Sequence, residues 1–555
     1  MGNPPYSGHS QTASKIIGER EHKRIKGKKV KDIRDTWIND LLQDYYQVDG
    51  APLGERNPKW LQDDYVKFIR FAQHKIQQIE RGVVAIITNH GFLDNPTFRG
   101  MRQSLMTTFD RLYFLDLHGN SNKKETAPDG GKDVNVFDIQ QGVGISLLIK
   151  NPALKKGVFH YDLFGKRQYK YDFCEAESVK SIKWKSLKPK SSSYLFIPQD
   201  KKTAKKYQTY TSIKDIFNVS GVGITTAHDD FVIDFQEGEL LNRFIQFANS
   251  KRDAETLHSY FGVKYKMGWD ILRGYDALQE TKDIGQLVKN IHYRPFDNRY
   301  ILYEDRLVWR AVRKIMRHML EGDNLGLVSV RQVKTGKTWQ HITVSNAMVE
   351  STYLSNKTSE IDYLFPLYLY NENANGDAYK TENVKPAFRR WIDNYYGKKL
   401  SPENIIGYIY AVLHSPDYRR RYADLLRMDF PRVPFVKDIK EFNRLAKIGD
   451  KLINAHLLKD DKLKLSLQLH GENLQVKKVK YHEAGGKLFI NNDTYFAPLP
   501  PEVFDFPIGG YLPLDKYLKS RKGRELTLND VETIRKAAAA TAFTIKQMAA
   551  IDKNT

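Results

Sequence analysis

Apolar residues in the first part of the chain recur with two different periods. Leu61, Tyr65, Phe68, Ile69, Ala72, Ile76 and Ile79 fall mostly three or four apart. That spacing predicts one stripe of a helix beginning after Asn57-Pro58 and stopping at Gly82. Residues 83–88 then form a short unbroken apolar run, the pattern of a buried parallel strand. Phe98, Met101, Leu105 and Phe109 repeat the helical spacing, with Arg99 and Arg102 on other faces. Residues 112–117 and 143–149 read as two further strands. Loop, helix, strand, helix, strand, strand is half of a doubly wound, Rossmann-like α/β sheet.

Further on, the pattern changes character. Between 151 and 400, basic, aromatic and short β-like runs alternate around Trp184, residues 194–196 and residues 231–233, with helical stretches over 240–248 and 271–288. A mixed α/β domain is expected there. From 401 the chain reads as mainly helical. Ile405, Ile406, Ile409, Val412 and Leu413 form a stripe ended by Ser415-Pro416, and residues 448–457 continue the pattern. Residues 474–489 look like strands turned by Gly485-Gly486, and an Ala-rich helix over 527–550 follows Thr527 or Asn529 as its cap. The expected domains are therefore 1–150, 151–400 and 401–555.

Composition narrows the partners. Hydrophobic residues make up 41% of the 555 positions and aromatics 12%, the balance of a globular protein with large cores. Lys+Arg 88 against Asp+Glu 66 leaves a net charge of +22, spread along the chain. Such an excess points first to nucleic acid, and otherwise to a solvated basic surface. Cys174 is the sole cysteine, which excludes a disulfide framework and a cysteine-built zinc site. The 15 histidines show no HExxH or paired metal spacing, so no metal site is expected, and no carboxylate–lysine nuclease cluster stands out. No signal peptide and no apolar run near the ~18–20 residues of a membrane span is seen, so the expected location is cytoplasmic.

The chemistry concentrates in Asn3-Pro4-Pro5-Tyr6. An exocyclic amine on an aromatic ring is a poor nucleophile because its lone pair is delocalised. An Asn side-chain oxygen and a backbone carbonyl can accept its two N–H groups and draw that lone pair out of plane. Prolines stiffen the loop, and an aromatic stacks on a flipped base. Asn-Pro-Pro is equally compatible with an ordinary turn. The basic stretch 9–56, with Lys23, Arg24, Lys26, Lys28 and Lys29 close together, reads as a loop or loose helical insertion.

The tetrapeptide resembles the NPPY motif of the DNA adenine-N6 methyltransferases, and the order of elements after it resembles the catalytic half of that family. The resemblance makes Asn3 and the Pro4 carbonyl acceptors, Pro5 a stiffener and Tyr6 a stacking platform. Val136-Phe137-Asp138-Ile139-Gln140-Gln141-Gly142-Val143 resembles the family's late motif, which would make Phe137 the second stacking residue; a core Phe at a strand edge is the other reading. Residues 293–299 (Tyr-Arg-Pro-Phe-Asp-Asn-Arg) and 509–524 resemble the target-recognition domain of type ISP single-chain restriction–modification enzymes. The implied methyl donor is S-adenosylmethionine and the implied partner is double-stranded DNA.

In that family a glycine-rich strand-to-helix turn lying before the NPPY loop binds the donor, and only Met1-Gly2 precede it here. Gly221-Val222-Gly223 and Gly509-Gly510 do not follow suitable strands, so the chain is expected to lack its cofactor half, with a separate chain or upstream region supplying cofactor, nuclease and motor. Gly336-Lys337-Thr338 is rejected as a phosphate loop because Arg331 stands where its first Gly belongs. Among basic residues interleaved with aromatics, Arg294, Arg299, Arg310, Arg313 and Arg331 are the candidate DNA contacts, with Arg310, Arg313 and Arg317 on one helical face. The functional expectation is the recognition part and partial methyltransferase of a restriction–modification enzyme. A non-catalytic, sequence-specific DNA-binding module is the alternative, and methylation of RNA or a protein glutamine a third.

Overall fold

In the computed structural model the apolar runs of the first 200 residues meet in one mixed sheet. The structure describes all residues except 1, 6–23, 26–27, 30–36, 55–57, 122–126, 128–130, 192, 199, 267, 334–337, 357–359, 373–377 and 555. Two compact units result, Met1–Lys201 and Lys202–Thr555, with residues 334–337 grouped with the first.

The sheet of the first unit contains β1 (Gly82–Asn89), β2 (Arg111–Asp116), β3 (Val143–Lys150), β4 (Gly157–Asp162) and β5 (Lys185–Leu187), in the spatial order β1-β3-β2-β4-β5. β3 runs antiparallel to both β1 and β2, β4 is parallel to β2, and β5 is antiparallel to β4. The expected parallel partner for residues 83–88 is thus replaced by antiparallel β3, and Val83 at the sheet edge is 59% exposed. On the outer side of β1, Gly2 forms a parallel bridge to Ile86: its N–H donates to the Ala85 carbonyl at 3.1 Å and its carbonyl accepts from Ile87 at 2.9 Å. Because β1, β2 and β4 share a direction, their carboxyl ends, the start of β3 and residue 3 come to one end of the sheet.

The helices α1 (Asp64–Gln77) and α2 (Arg99–Thr108) bury Tyr65, Ile69, Ile76, Met101 and Leu105 with Phe92, Phe114 and Leu148. Phe68 and Ile79, expected in the same stripe, point to solvent. Arg102 is a larger departure: it is fully buried, and its guanidinium donates to the carbonyls of Phe92, Asn95 and Ser193 at 2.6–3.0 Å. A buried cation is tolerated there because backbone carbonyls accept from each of its three nitrogens. The unit continues past residue 150 because β4 adds to the sheet edge at β2, and α3 (Arg167–Ala176) follows it.

In the second unit, β6 (Val288–Arg294) and β7 (Asp297–Leu302) form the centre of one four-stranded sheet, flanked by Ile233–Asp234 and Met348–Val349. Helix α4 (Glu237–Asn249) precedes them. Residues 231–233 are a helical turn running into an edge strand rather than a strand, and 194–196 form none. A second sheet holds β8 (Gly326–Val330), β9 (Ile342–Ser345) and β10 (Asp362–Pro366), all antiparallel and almost entirely buried. Residue 400 marks no division, since α5 (Pro402–His414) is apolar on all sides and joins the same core as Leu327 and Val344. It lies against α6 (Ile439–His456), whose Gly449 faces the Gly407 backbone. Four short strands within 468–497 make a third sheet, with Gly485 and Gly486 at positive φ in its hairpin. The last helix, α7 (Leu528–Ile551), is capped by Thr527 through a reciprocal bond with Asp530. The architecture is mixed α/β with several small sheets and many helices.

Candidate functional site

At the carboxyl end of the first sheet, loops after β2 and β4 converge on a set of acids and imidazoles. Asp116 and Asp162, the last residues of β2 and β4, are register partners. His90 Nδ1 lies 2.8 Å from Asp116 Oδ1, and the His118 backbone N–H donates to the same oxygen at 2.9 Å. Asp162 Oδ1 lies 2.9 Å from His118 Nε2 and 3.0 Å from His160 Nε2. Burial opposes ionisation of Asp116, yet His90 and His118 hold its carboxyl well below the usual range. Asp162 is shifted the same way: desolvation opposes its charge, and bonds from His118 and His160 overcome it. Gly142 leaves room for the His90 ring, since a side chain there would meet Nε2 at 2.2 Å.

Behind this cluster sits a buried ion pair. Lys170 on α3 and Asp133 are 2.7 Å apart, with both side chains wholly inaccessible. Lys170 Nζ also donates to the Leu117 and Val134 carbonyls at 2.7 and 2.8 Å, while Asp133 accepts from the backbone of Gly119 and Gly165 at 2.6 and 2.8 Å. Three loops are tied by two side chains. His118 and Gly119 both have positive φ, and at Gly119 a Cβ would stand 2.4 Å from Asn135 Cα, so the close approach requires glycine. Asn135 closes the assembly: its Nδ2 donates to Gly119 O and Gln141 O, and its Oδ1 accepts from Phe137 N at 2.8 Å. Arg167 donates to the carbonyls of Asn135 and Phe137 and pairs with Asp138.

Phe137 is thereby placed on a built loop entering β3, half-buried against Leu115, Val136 and Val143. Asn3 and Pro5 are exposed and Pro4 is buried where they follow the Gly2 bridge. Tyr6 lies outside the described residues. The fold therefore brings the Asn3 segment, the Phe137 loop and the His–Asp cluster to one end of the sheet.

The arginines of the second unit behave differently from one another. Arg294 is buried, pairs with Glu350 at 2.6 Å and stacks 3.9 Å from the Tyr293 ring centre. Arg299 is nearly buried, bound to Asp297 at 2.7 Å between Phe235 and Tyr293. Both guanidiniums face the protein interior rather than a groove-filling surface. Arg313 and Arg331 are exposed but paired with Asp305 and Asp429 at 3.1 Å. Arg310 is exposed and does not share a helix face with Arg313, because its backbone is bridged to Thr225 and the helix spans only Arg313–Met316.

Residues 215–548 match the family described as the Type ISP C-terminal specificity domain. The chain belongs to that family. No curated protein matches. Three solved structures share the fold across 100% of this chain: the ATP-dependent Type ISP restriction–modification enzyme LlaBIII bound to DNA (TM-score 0.71, 18% identity), a nuclease-deletion mutant of the Type ISP enzyme LlaGI with a DNA substrate mimic (0.68, 19%) and a DrdV–DNA complex (0.72, 21%). The chain spans 37%, 44% and 56% of those chains respectively.

Within the specificity domain one exposed surface combines aromatics with lysines. Tyr260 and Tyr265 are 70% and 79% exposed, among the most exposed large side chains of the structure. Lys264 and Lys266 flank Tyr265, and Lys266 Nζ sits 4.8 Å over the ring of Trp309, the neighbour of Arg310. Stacking rings beside cations suit bases and phosphates together.

Sequence reasoning missed this loop, although Tyr260, Lys264, Tyr265 and Lys266 carry the same basic–aromatic interleaving that singled out residues 294–331. It also missed the His–Asp cluster, whose signal was His118 and His160 each lying two residues from an acid, Asp116 and Asp162, the first near a predicted strand end.

Proposed function

We propose that this chain is the DNA-recognition part of a restriction–modification enzyme together with the target-base side of an adenine-N6 methyltransferase site. The match of residues 215–548 to a specificity domain carries the reading. A net charge of +22 supports it, as do relatives in fold whose descriptions have them bound to DNA. The methyltransferase half rests on placement. The Gly2 bridge directs Asn3 and Pro4 toward the carboxyl end of β1, the end at which Asn135 and Arg167 fix the Phe137 loop. In this reading Asn3 Oδ1 and the Pro4 carbonyl accept the two amino hydrogens of a flipped adenine, and Tyr6 and Phe137 hold its ring.

S-adenosylmethionine would supply the methyl group, and neither Gly221-Val222-Gly223 nor Gly509-Gly510 is shaped to cradle it. Gly221 and Val222 pair with Leu364 and Tyr363 as an edge strand, and Gly223 is packed on the Glu350–Ser351 backbone. Gly509 and Gly510 donate to the carbonyls of Gln340 and Leu354. Neither pair presents free N–H groups ahead of a helix. The reading therefore assigns the donor to another part of the enzyme.

The test is binding of the full chain to duplexes bearing 2-aminopurine beside the target adenine, which keeps its 6-amino group, followed over a salt series. Saturable, salt-sensitive binding that favours one selected sequence is expected, with Asn3→Ala leaving affinity unchanged but lowering the fluorescence rise that extrusion of the neighbouring adenine produces. Absence of duplex binding at low salt would overturn the proposal. Sequence-selective binding with no fluorescence rise in the parent chain would leave only a non-catalytic specificity module.

A further inference from the structure

The cluster at the carboxyl ends of β2 and β4 has a charge problem that its hydrogen bonds only partly solve. Asp116 and Asp162 stand side by side on parallel strands, and the carboxylate of Asp116 is buried. Two adjacent carboxylates repel unless a cation is near. Three imidazoles, each an established type of metal ligand, surround them at 2.8–3.0 Å. A divalent ion held among these donors removes the repulsion.

We propose that Asp116, His160 and Asp162, with His118 alongside, bind one divalent transition-metal ion. The ligand atoms of Asp116, His160 and Asp162 lie within 4.8 Å of one another. His118 Nε2 and His160 Nε2 are 2.9 and 3.0 Å from the same Asp162 oxygen. Around an ion about 2.1 Å from each ligand, neighbouring donors are about 3.0 to 3.4 Å apart, so shifts of a few tenths of an ångström open the site. Nitrogen and carboxylate donors together select zinc and its neighbours over calcium or magnesium. One side is open: the Asp162 side chain is 42% exposed, while those of Asp116 and His160 are almost wholly enclosed. The remaining Asp116 contacts fit a ligand held from behind, with His90 Nδ1 and the His118 N–H fixing Oδ1. Bound there, the ion would join the ends of β2 and β4 and brace the loop from His118 that Asn135 connects to Phe137. The site does not depend on the DNA reading, and its test does not involve DNA.

Chelator-treated full-length chain at pH 7.5 is titrated with Zn2+ by calorimetry and with Co2+ by its visible d–d absorption. The expected result is one saturable equivalent and a rise in melting temperature of about 5–10 °C at roughly 100-fold excess over Kd. Asp162→Asn, at a partly exposed position, preserves size and much of the hydrogen bonding; it should lower affinity at least about 100-fold, beyond what loss of a supporting bond does. His470→Gln, at an exposed histidine of the other unit, should change nothing. X-ray absorption on the zinc-loaded parent chain should show imidazole scattering, a result independent of any variant's folding. No saturable Zn2+ binding, equal binding by Asp162→Asn, or a zinc shell without imidazole would each overturn the site.

Discussion

Replacing Lys170 by methionine should loosen the whole strand-end assembly of the first unit. Lys170 Nζ makes three contacts of 2.7–2.8 Å, to Asp133 and to the carbonyls of Leu117 and Val134, and neither side chain of the ion pair meets solvent. Methionine keeps the length and the apolar stem but strands Asp133 as a buried anion. Breaking a buried pair from one side costs about 3–5 kcal/mol, because the uncompensated charge cannot be rehydrated. Asp133 retains the N–H groups of Gly119 and Gly165, which holds the expectation to the lower end, about 3 kcal/mol. Hydrogen exchange by mass spectrometry over residues 117–120 and 163–167 is the direct assay. At 1.4 kcal/mol per decade, protection should fall roughly 100-fold. Asp133→Asn combined with Lys170→Met removes the stranded charge and should be less damaging than the sum of the single changes by about 2 kcal/mol. A loss under about 1 kcal/mol in Lys170→Met, or strict additivity in the double variant, would refute the idea that this pair ties the loops.

Three other outcomes follow from particular contacts. In the second unit His292 and His456 are held neutral by burial, with pKa values pushed down to about 4 and about 3, and burial with nearby Arg419 and His456 pushes His414 well below its usual value. Each stabilises the fold fully above the unfolded value near 6.5 and less as acid titrates the unfolded chain; Asp362, raised by burial, acts in the opposite sense. His228 and His318 are lowered by burial in the same sense, so the histidines outnumber Asp362 and denaturation midpoints are expected to fall as the pH drops from about 6 to 4.5; midpoints that stay flat or rise would refute this. Gly449→Ala would put a Cβ 1.7 Å from the Gly407 carbonyl oxygen, so α5 and α6 must separate at a cost of about 3 kcal/mol or more in chemical denaturation. Gly238→Ala, with open space at its Cβ in the first turn of α4, should instead gain about 0.5–1 kcal/mol. Lys266→Ala and Arg310→Ala should each weaken duplex binding similarly across sequences and lower the salt slope by about 1, whereas Arg331→Ala, already paired with Asp429, should lower it less.

Periodicity alone placed much of the secondary structure. The stripes at Tyr65–Ile76 and Ile405–Leu413, the run at 83–88 and the Thr527 cap report interactions between residues close in sequence, and those interactions survive in the folded chain. Strand partners were not legible in the same way. Residues 83–88 have the composition of a parallel central strand, but pairing is decided by which strand arrives beside them, and antiparallel β3 does. Arginine environments were hidden for a related reason. Arg294 and Arg102 look on paper like surface cations; each is buried because a distant carboxylate or cluster of carbonyls meets its guanidinium, a satisfaction that spacing cannot announce.

What the amino-acid order determined by itself was the positive balance, a single cysteine that leaves no disulfide framework, and the Asn3-Pro4-Pro5-Tyr6 and Phe137 segments as candidate chemistry. Only tertiary structure decided that Asn3 follows a strand bridge toward the end of the sheet that carries Phe137, and that five residues between 90 and 162 gather two carboxylates and three imidazoles there. Charge and composition add along a chain. A site needs donors brought within ångströms across strands far apart in sequence, and that proximity exists only once the sheet has chosen its order.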